Sequence, residues 1–156
     1  MARRVFFSFH CERDVWRAGQ VRNSWVTKPD REAAGFWDAA AWEEVKRKGD
    51  EAIRAWIRGQ LKGTSVTIVL LGTETSRRKY VRYEIRQSWE RGNGLIGVHI
   101  HNMKDVNGET EPKGDTPFVA MGYKGIKIYN WVNDDGYGNL GDWVERAYQR
   151  AQSRSR

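Results

Sequence analysis

Four short apolar runs, each followed by a polar segment, dominate the pattern of hydrophobic and polar positions along the chain. They occupy residues 5–9, 66–72, 95–101 and 126–131 and are rich in β-branched and aromatic side chains. Apolar-rich runs of this length are typical of strands buried on both faces of a parallel sheet. A weaker run at residues 21–27 is a candidate for a further strand.

Apolar residues at helical spacing lie between and after these runs. The stripes are formed by Trp42, Val45, Ile53, Trp56 and Ile57, by Val81, Ile85 and Trp89, and by Leu140, Trp143, Val144, Ala147 and Ala151. They predict three helices, of which the first is long. Asp38, Ser76 and Asn139 are the candidate N-caps, and Gly92 ends the second helix.

Alternating buried strands and amphipathic helices predict a three-layer, flavodoxin-like α/β domain with a mostly parallel central sheet of four to five strands. We expect residues 1–156 to form a single domain with a frayed basic tail from about residue 150. Ligands of such sheets bind beyond the carboxyl ends of the strands. The candidate site segments are therefore residues 8–14, 72–84, 101–124 and 131–139, and the stretch 102–124 is a long loop of the kind that is often functional.

Composition narrows the function classes. The chain has one cysteine, which excludes an internal disulfide and any multi-cysteine metal site, so we predict no metal. Its apolar runs are too short to cross a bilayer, which predicts a cytoplasmic protein without a membrane partner. The sequence also lacks the glycine-rich dinucleotide and phosphate loops and the Gly-x-Ser-x-Gly elbow.

Charge alone does not identify a partner. The chain has 27 Lys and Arg against 20 Asp and Glu, for a formal net charge of +7. Five of the basic residues crowd one segment: Arg77, Arg78, Lys79, Arg82 and Arg86. That cluster is either a phosphate-binding group or a solvated helix face. No aromatic-interleaved nucleic-acid motif accompanies it, and we expect no specific nucleic-acid partner.

The segment 73–85 offers the most chemistry. Tyr80 and Glu84 lie one turn apart on a face of the predicted helix that is offset from its apolar stripe. A carboxylate beside an aromatic wall suits the stabilisation of a developing cation, such as a ribosyl oxocarbenium ion. The alternative is a surface glutamate paired with Arg82 or Arg86.

Three segments read Arg-Val-Phe-Phe-Ser-Phe-His at 4–10, Val-Arg-Asn-Ser-Trp-Val at 21–26 and Lys-Tyr-Val-Arg-Tyr-Glu-Ile at 79–85. Together with their spacing, which covers most of the chain, they resemble the TIR-like family of bacterial Thoeris antiphage systems, relatives of Toll/interleukin-1 receptor domains. The resemblance implies a TIR-like fold and makes Glu84 the NAD-cleaving carboxylate. The chain departs from the broader TIR pattern because it lacks a Trp-Cys pair before this glutamate.

The resemblance also implies where NAD binds, with NAD as substrate and no cofactor. The candidate substrate-binding residues are Ser8, Phe9, His10, Asn23, Trp25 and Tyr80. For three of these a structural role is the alternative: core packing for Phe9, a strand-end hydrogen bond for His10 and a local turn for Asn23.

A signalling function follows from the same resemblance. The product is expected to be an ADP-ribose derivative, cyclic or conjugated, that activates a separate effector protein in response to a phage-derived trigger. The protein is also a candidate homo-oligomer. The alternative is a non-catalytic TIR-like module that assembles with other TIR domains and has no turnover.

Overall fold

A five-stranded, fully parallel sheet forms the centre of the fold in the computed structural model, which describes residues 3–36 and 39–154. The strands are β1 (Arg3–Ser8), β2 (Arg31–Ala34), β3 (Val66–Leu71), β4 (Gly94–His99) and β5 (Lys127–Asn130). Their order in the sheet is β2-β1-β3-β4-β5. The α/β fold predicted from the alternating pattern is confirmed.

Helices cover both faces of the sheet and complete the three layers. The helices are α1 (Val15–Val26), α2 (Ala39–Arg47), α3 (Asp50–Leu61), α4 (Lys79–Glu90) and α5 (Gly136–Arg154). Apolar clusters place α1 and α5 on one face and α2, α3 and α4 on the other. In the part of the chain that the structure describes, no helix has the length and apolar character needed to span a membrane.

The alternation of side chains along β1 decides which residues reach which face. Val5 and Phe7 belong to the core cluster beneath α1 and α5, whereas Phe6 belongs to the cluster beneath α2, α3 and α4. Successive side chains of a strand point to opposite faces, so Ser8 shares the face of Phe6. The strand therefore presents the Ser8 hydroxyl to α4.

The prediction of a strand at residues 21–27 is wrong, because most of this segment belongs to α1. Ala18, Val21 and Trp25 are buried at helical spacing against the sheet. The strand on that side of β1 is β2, which begins Arg31-Glu32 and lies at the edge of the sheet. An edge strand needs little apolar sequence, which is why the hydrophobic pattern did not reveal it.

The long helix predicted across residues 42–57 is two helices, α2 and α3. Gly49 separates them with φ of +99°, a conformation that glycine adopts readily and that a continuous α-helix cannot contain. Both helices still bury the predicted apolar stripe on the same cluster. The proposed cap Asp38 lies outside the described residues.

The other two caps also differ from the prediction. Ser76 lies in a short 3₁₀ turn, and α4 begins after Arg78, which makes no side-chain capping bond. Asn139 lies inside α5, where the Asp135 carboxylate accepts a hydrogen bond from the Gly138 amide at 3.3 Å.

The expected frayed tail is helical up to the end of α5. Arg154 donates to the Asn93 carbonyl at 3.1 Å, and its guanidinium lies 3.6 Å from the Trp89 ring centroid. These contacts join the last turn of α5 to the far end of α4, and residues 155–156 of the expected tail lie outside the described residues.

Candidate active site

Glu84 lies on the second turn of α4 and faces the carboxyl end of β1. Its side chain is buried, with the residue 4% exposed, and its Oε1 accepts a hydrogen bond of 2.7 Å from the Ser8 hydroxyl. Arg82 instead donates to the Ser76 carbonyl at 2.8 Å. The alternative of a surface glutamate paired with a basic residue of its own helix is therefore wrong.

Burial controls the charge of this carboxyl group. It raises the pKa of Glu84 to about 8, although the hydrogen bond from Ser8 opposes the rise. A carboxyl group in this state is largely protonated at neutral pH and ionises readily when a positive charge approaches it. The protonation state of Glu84 is thus expected to change when a cation binds beside it.

A pocket lies beside Glu84, between the end of β1 and helices α2, α3 and α4. Its lining residues are Phe9, His10, Cys11, Glu12, Trp42, Ile57, Arg78, Tyr80, Val81 and Glu84. The cavity volume is about 20 Å³, which is room for about one water molecule. The pocket is therefore closed in this structure.

Three of the predicted substrate-binding residues lie around Glu84. Ser8 contacts it directly, and His10 and Tyr80 line the pocket. The Tyr80 hydroxyl donates to Asp50 at 2.7 Å, which fixes the ring at the pocket wall. Burial lowers the pKa of His10, so its imidazole is neutral at pH 7.

Phe9 borders the same pocket, but its ring belongs to the core cluster on the other side of the sheet. The ring lies 5.3 Å from that of Phe36, centroid to centroid. The core-packing role considered for Phe9 is therefore present in the structure, alongside its position at the pocket edge.

Asn23 and Trp25 do not line the Glu84 pocket. Trp25 is buried in the core beneath α1, and its indole nitrogen donates to the Glu32 carbonyl at 2.8 Å. Asn23 lines a separate surface groove along α1, beside Trp16 and Phe36. The family resemblance implied both residues, but α1 packs on the face of the sheet opposite α4, so these side chains lie away from the Glu84 pocket.

The turn at residues 72–76 was expected to border the same pocket and does not line it. Gly72 packs so closely against the Asp14 carboxylate that a Cβ atom would collide with it. The Thr73 amide donates to Glu111 at 3.1 Å. The long loop thus occupies the carboxyl end of β3, while the pocket forms at the end of β1. The adjacency of β1 and β3, on which the expectation depended, is confirmed.

Sequence reasoning missed the residues that α2 and the β1–α1 loop bring to the pocket. The Trp42 indole nitrogen donates to Glu12 at 3.0 Å, which joins α2 to the β1–α1 loop across the pocket. Lys46 approaches the same carboxylate at 3.5 Å. Trp42 was attributed to a core stripe, and no local signal distinguished it from the other apolar positions of that stripe.

Cys11 lies in the pocket lining without the features of a reactive thiol. Burial raises its pKa far above the ordinary value, and the charge of Glu84 raises it further. A thiol in this state is protonated at neutral pH and is a poor nucleophile.

The long loop 102–124 contains no helix or strand, as predicted. Arg17 of α1 is 4% exposed and contacts this loop. Its guanidinium donates to the carbonyl oxygens of Met103 at 2.8 Å and Glu109 at 2.9 Å. It also pairs with the carboxylate of Glu111 at 3.3 Å. A buried arginine thus fixes the first half of the loop beside the sheet edge.

The sheet order, the buried carboxylate on α4 and the pocket at the end of β1 define a TIR-like α/β protein with a candidate active site. The sequence profile of the family described as "Thoeris protein ThsB, TIR-like domain" matches residues 6–105. A relative from Bacillus cereus (strain MSX-D12), named "Putative cyclic ADP-D-ribose synthase ThsB1", is 44% identical over 152 residues, covering 93% of this chain and 76% of the relative. The chain belongs to the ThsB family of TIR-like proteins.

Proposed function

We propose that this protein consumes NAD, cleaves its nicotinamide glycosidic bond at Glu84, and makes a cyclic ADP-ribose signal. The observation that carries the proposal is the buried Glu84 carboxyl group, held by Ser8 at the carboxyl edge of the sheet. The printed name of the Bacillus cereus relative supports the same reaction class and, with it, NAD as the substrate.

The chemistry needs little from the protein because nicotinamide in NAD is already a cationic leaving group. The C1′–N bond breaks with its electron pair going to nicotinamide, which departs neutral and leaves an oxocarbenium ion on the ribose. Glu84 loses its proton to water as the cationic nicotinamide ring approaches, and the resulting carboxylate stabilises this ion. Capture by a hydroxyl of the same molecule gives a cyclic product and releases a proton, and capture by an adenine ring nitrogen gives a cyclic product that keeps the positive charge on the base. Capture by water gives ADP-ribose and a proton.

NAD binding requires the pocket to open. A cavity of about 20 Å³ cannot hold a nicotinamide riboside group. The contacts that close it, from Trp42 and Lys46 of α2 to Glu12, are partly exposed and weak enough to break. Movement of α2 away from the β1–α1 loop would expose Glu84 and Tyr80 to the substrate, and closure would then exclude water in favour of cyclisation.

The proposed partners rest on the resemblance to Thoeris TIR-like proteins. The product is proposed to activate a separate effector protein, and a phage-derived trigger is proposed to switch the enzyme on during infection. The cytoplasm is the proposed location, since NAD is available there. A homo-oligomer is a further expectation, and it can be measured by light scattering on the purified protein.

Mass spectrometry of the products tests this proposal. Purified protein is incubated with NAD, with and without an extract of phage-infected cells, and the products are compared with ADP-ribose standards. The expected result is nicotinamide together with a product lighter than ADP-ribose by one water, as a cyclic isomer must be. Consumption of NAD to linear ADP-ribose alone would contradict cyclisation.

The same experiment separates the enzyme from the non-catalytic interaction module. A module without turnover leaves NAD intact under both conditions while still associating with other TIR domains. That result would overturn the proposed function.

A further inference from the structure

The proposed substrate carries charge that the Glu84 pocket must accommodate. The inference in this subsection rests on the proposed function and deepens it. NAD joins its nicotinamide riboside to adenosine through a diphosphate with two negative charges. If the nicotinamide end is inserted beside Glu84, the diphosphate lies at the mouth of the pocket. Glu12, an exposed lining residue, is acidic and disfavours an anion.

Arg78 is the cationic lining residue of this pocket. It occupies the N-cap position of α4, immediately before the helix that carries Tyr80 and Glu84. Its charge reaches three groups around the opening. It adds to burial in lowering the pKa of His10, it opposes the burial that raises the pKa of Cys11, and it adds to the Trp42 hydrogen bond in lowering the pKa of Glu12.

Three of the neighbouring basic side chains make structural contacts, whereas Arg78 does not. Arg82 donates to the Ser76 carbonyl at 2.8 Å, and Lys79 pairs with Asp50 at 2.7 Å. Lys46 pairs with Glu43 at 3.3 Å on the other side of the opening. Across residues 3–36 and 39–154, the Arg78 side chain has neither a hydrogen-bond partner nor a carboxylate within 4.0 Å.

Other groups at the opening cannot replace it. Burial, followed by the charge of Arg78, lowers the pKa of His10 below its ordinary value, so its imidazole is neutral at pH 7. Arg77 and Arg86 are exposed and do not line the pocket. An arginine guanidinium also matches a diphosphate well, since its planar set of donors can make two parallel hydrogen bonds to phosphate oxygens.

We propose that Arg78 binds the diphosphate of NAD and so orients the dinucleotide with its nicotinamide end towards Glu84. Arg78 is a substrate-positioning residue: it holds the phosphates and takes no part in breaking the glycosidic bond. This assigns a role to one member of the basic cluster at residues 77–86, while Arg77 and Arg86, which do not line the pocket, remain a solvated face.

Binding measurements in a Glu84→Gln background test the proposal without turnover. Calorimetry is used with three ligands: NAD, ADP-ribose, and nicotinamide riboside, which has no phosphate. Arg78→Ala is expected to weaken NAD and ADP-ribose binding by about 10-fold to 100-fold, as for the loss of a charge-assisted hydrogen-bonded contact. The affinity for nicotinamide riboside is expected to stay unchanged, and Arg78→Lys is expected to recover part of the loss.

The matched control is Arg86→Ala, which removes one positive charge from the same helix away from the pocket and is expected to leave all three affinities unchanged. Equal NAD affinity in Arg78→Ala and its parent would overturn the role of Arg78 alone. Equal loss in Arg78→Ala and Arg86→Ala would show a general effect of net charge and would also overturn it. A parent protein that neither binds nor consumes NAD would overturn the proposed function itself, so the two failures are distinguishable.

Discussion

Glu84 shows how a single residue can be costly to the fold and useful to the site. Its carboxyl group is buried, and the hydrogen bond from Ser8 at 2.7 Å is its polar contact from the sheet. A buried carboxylate with so little compensation favours its neutral form. Functional sites often contain such groups, because a charged ligand that binds beside a buried carboxyl group shifts its protonation equilibrium.

The pH dependence of stability should reveal this cost. Since the pKa of Glu84 is raised from 4.5 to about 8, the folded state keeps a proton that the unfolded state releases, and stability falls as pH rises through this range. Glu84→Gln removes that loss. We expect the variant to gain free energy of unfolding relative to the parent between pH 5 and pH 8. The measurement is urea denaturation at several pH values.

Glu90→Gln on the exposed end of α4 is the matched control and should follow the parent at every pH. Burial also raises the pKa of Asp14, to about 7, but this group is present in parent and variants and cancels in the comparison. Parallel curves for parent and Glu84→Gln would show that the Glu84 carboxyl group ionises normally in the folded protein.

At the scale of secondary-structure elements, the hydrophobic pattern predicted β1, β3 and β4 because these strands are largely buried in the sheet and leave apolar-rich runs. It also predicted β5, although β5 is a partly exposed edge strand. It misread residues 21–27, where Val21 and Trp25 fit either a strand or a helix over so short a window. The substrate site was predicted in part for the same reason. Helix spacing placed Glu84 beside Tyr80 and off the apolar stripe, and the family resemblance added Ser8, whereas Trp42 and Glu12 meet through tertiary packing that no local pattern encodes.

The contact between α2 and the β1–α1 loop should control entry to the site. Glu12→Ala removes the acceptor for Trp42 and Lys46, a contact worth about 1 kcal/mol or less. A shift of that size changes the closed-to-open ratio by about fivefold. We expect NAD association to accelerate by up to about that factor in a Glu84→Gln background, measured by stopped-flow tryptophan fluorescence.

Glu43→Ala is the control for this prediction, because it removes the other carboxylate near Lys46 and keeps the bond between Trp42 and Glu12. An unchanged association rate in Glu12→Ala would show that α2 does not limit access to the pocket.

The long loop depends on one buried side chain of α1. Arg17→Met keeps much of the apolar stem but removes the donors to Met103 and Glu109 and leaves Glu111 without this partner. Removing one member of a buried pair costs about 3 kcal/mol or more. We expect lower stability together with faster amide hydrogen exchange concentrated in residues 103–111. Gln20→Ala, on the exposed face of the same helix, should change neither, and uniform exchange across the chain in Arg17→Met would contradict a local clamp.

At the scale of the whole molecule, the net charge of +7 raises the question of nucleic-acid binding. Much of the basic surface is paired internally, as for Arg3 with Glu145 at 2.7 Å and Arg58 with Glu51 at 2.7 Å. We expect weak binding to duplex DNA that disappears near physiological salt, with a slope of about −0.9 per phosphate contact. Fluorescence anisotropy across a salt series measures it, and tight sequence-dependent binding at physiological salt would contradict this expectation.

The central claim is that this TIR-like fold uses the Glu84 carboxylate to break the glycosidic bond of NAD. The direct measurement is the rate of nicotinamide release by parent, Glu84→Gln and Glu90→Gln proteins, under the conditions in which the parent is active and at a pH above 8, where Glu84 is ionised. Loss of one electrostatic contact to the developing cation predicts a rate lower by about 10²-fold to 10³-fold for Glu84→Gln, with Glu90→Gln at the parent rate. A Glu84→Gln protein that is folded and releases nicotinamide at the parent rate would contradict the account.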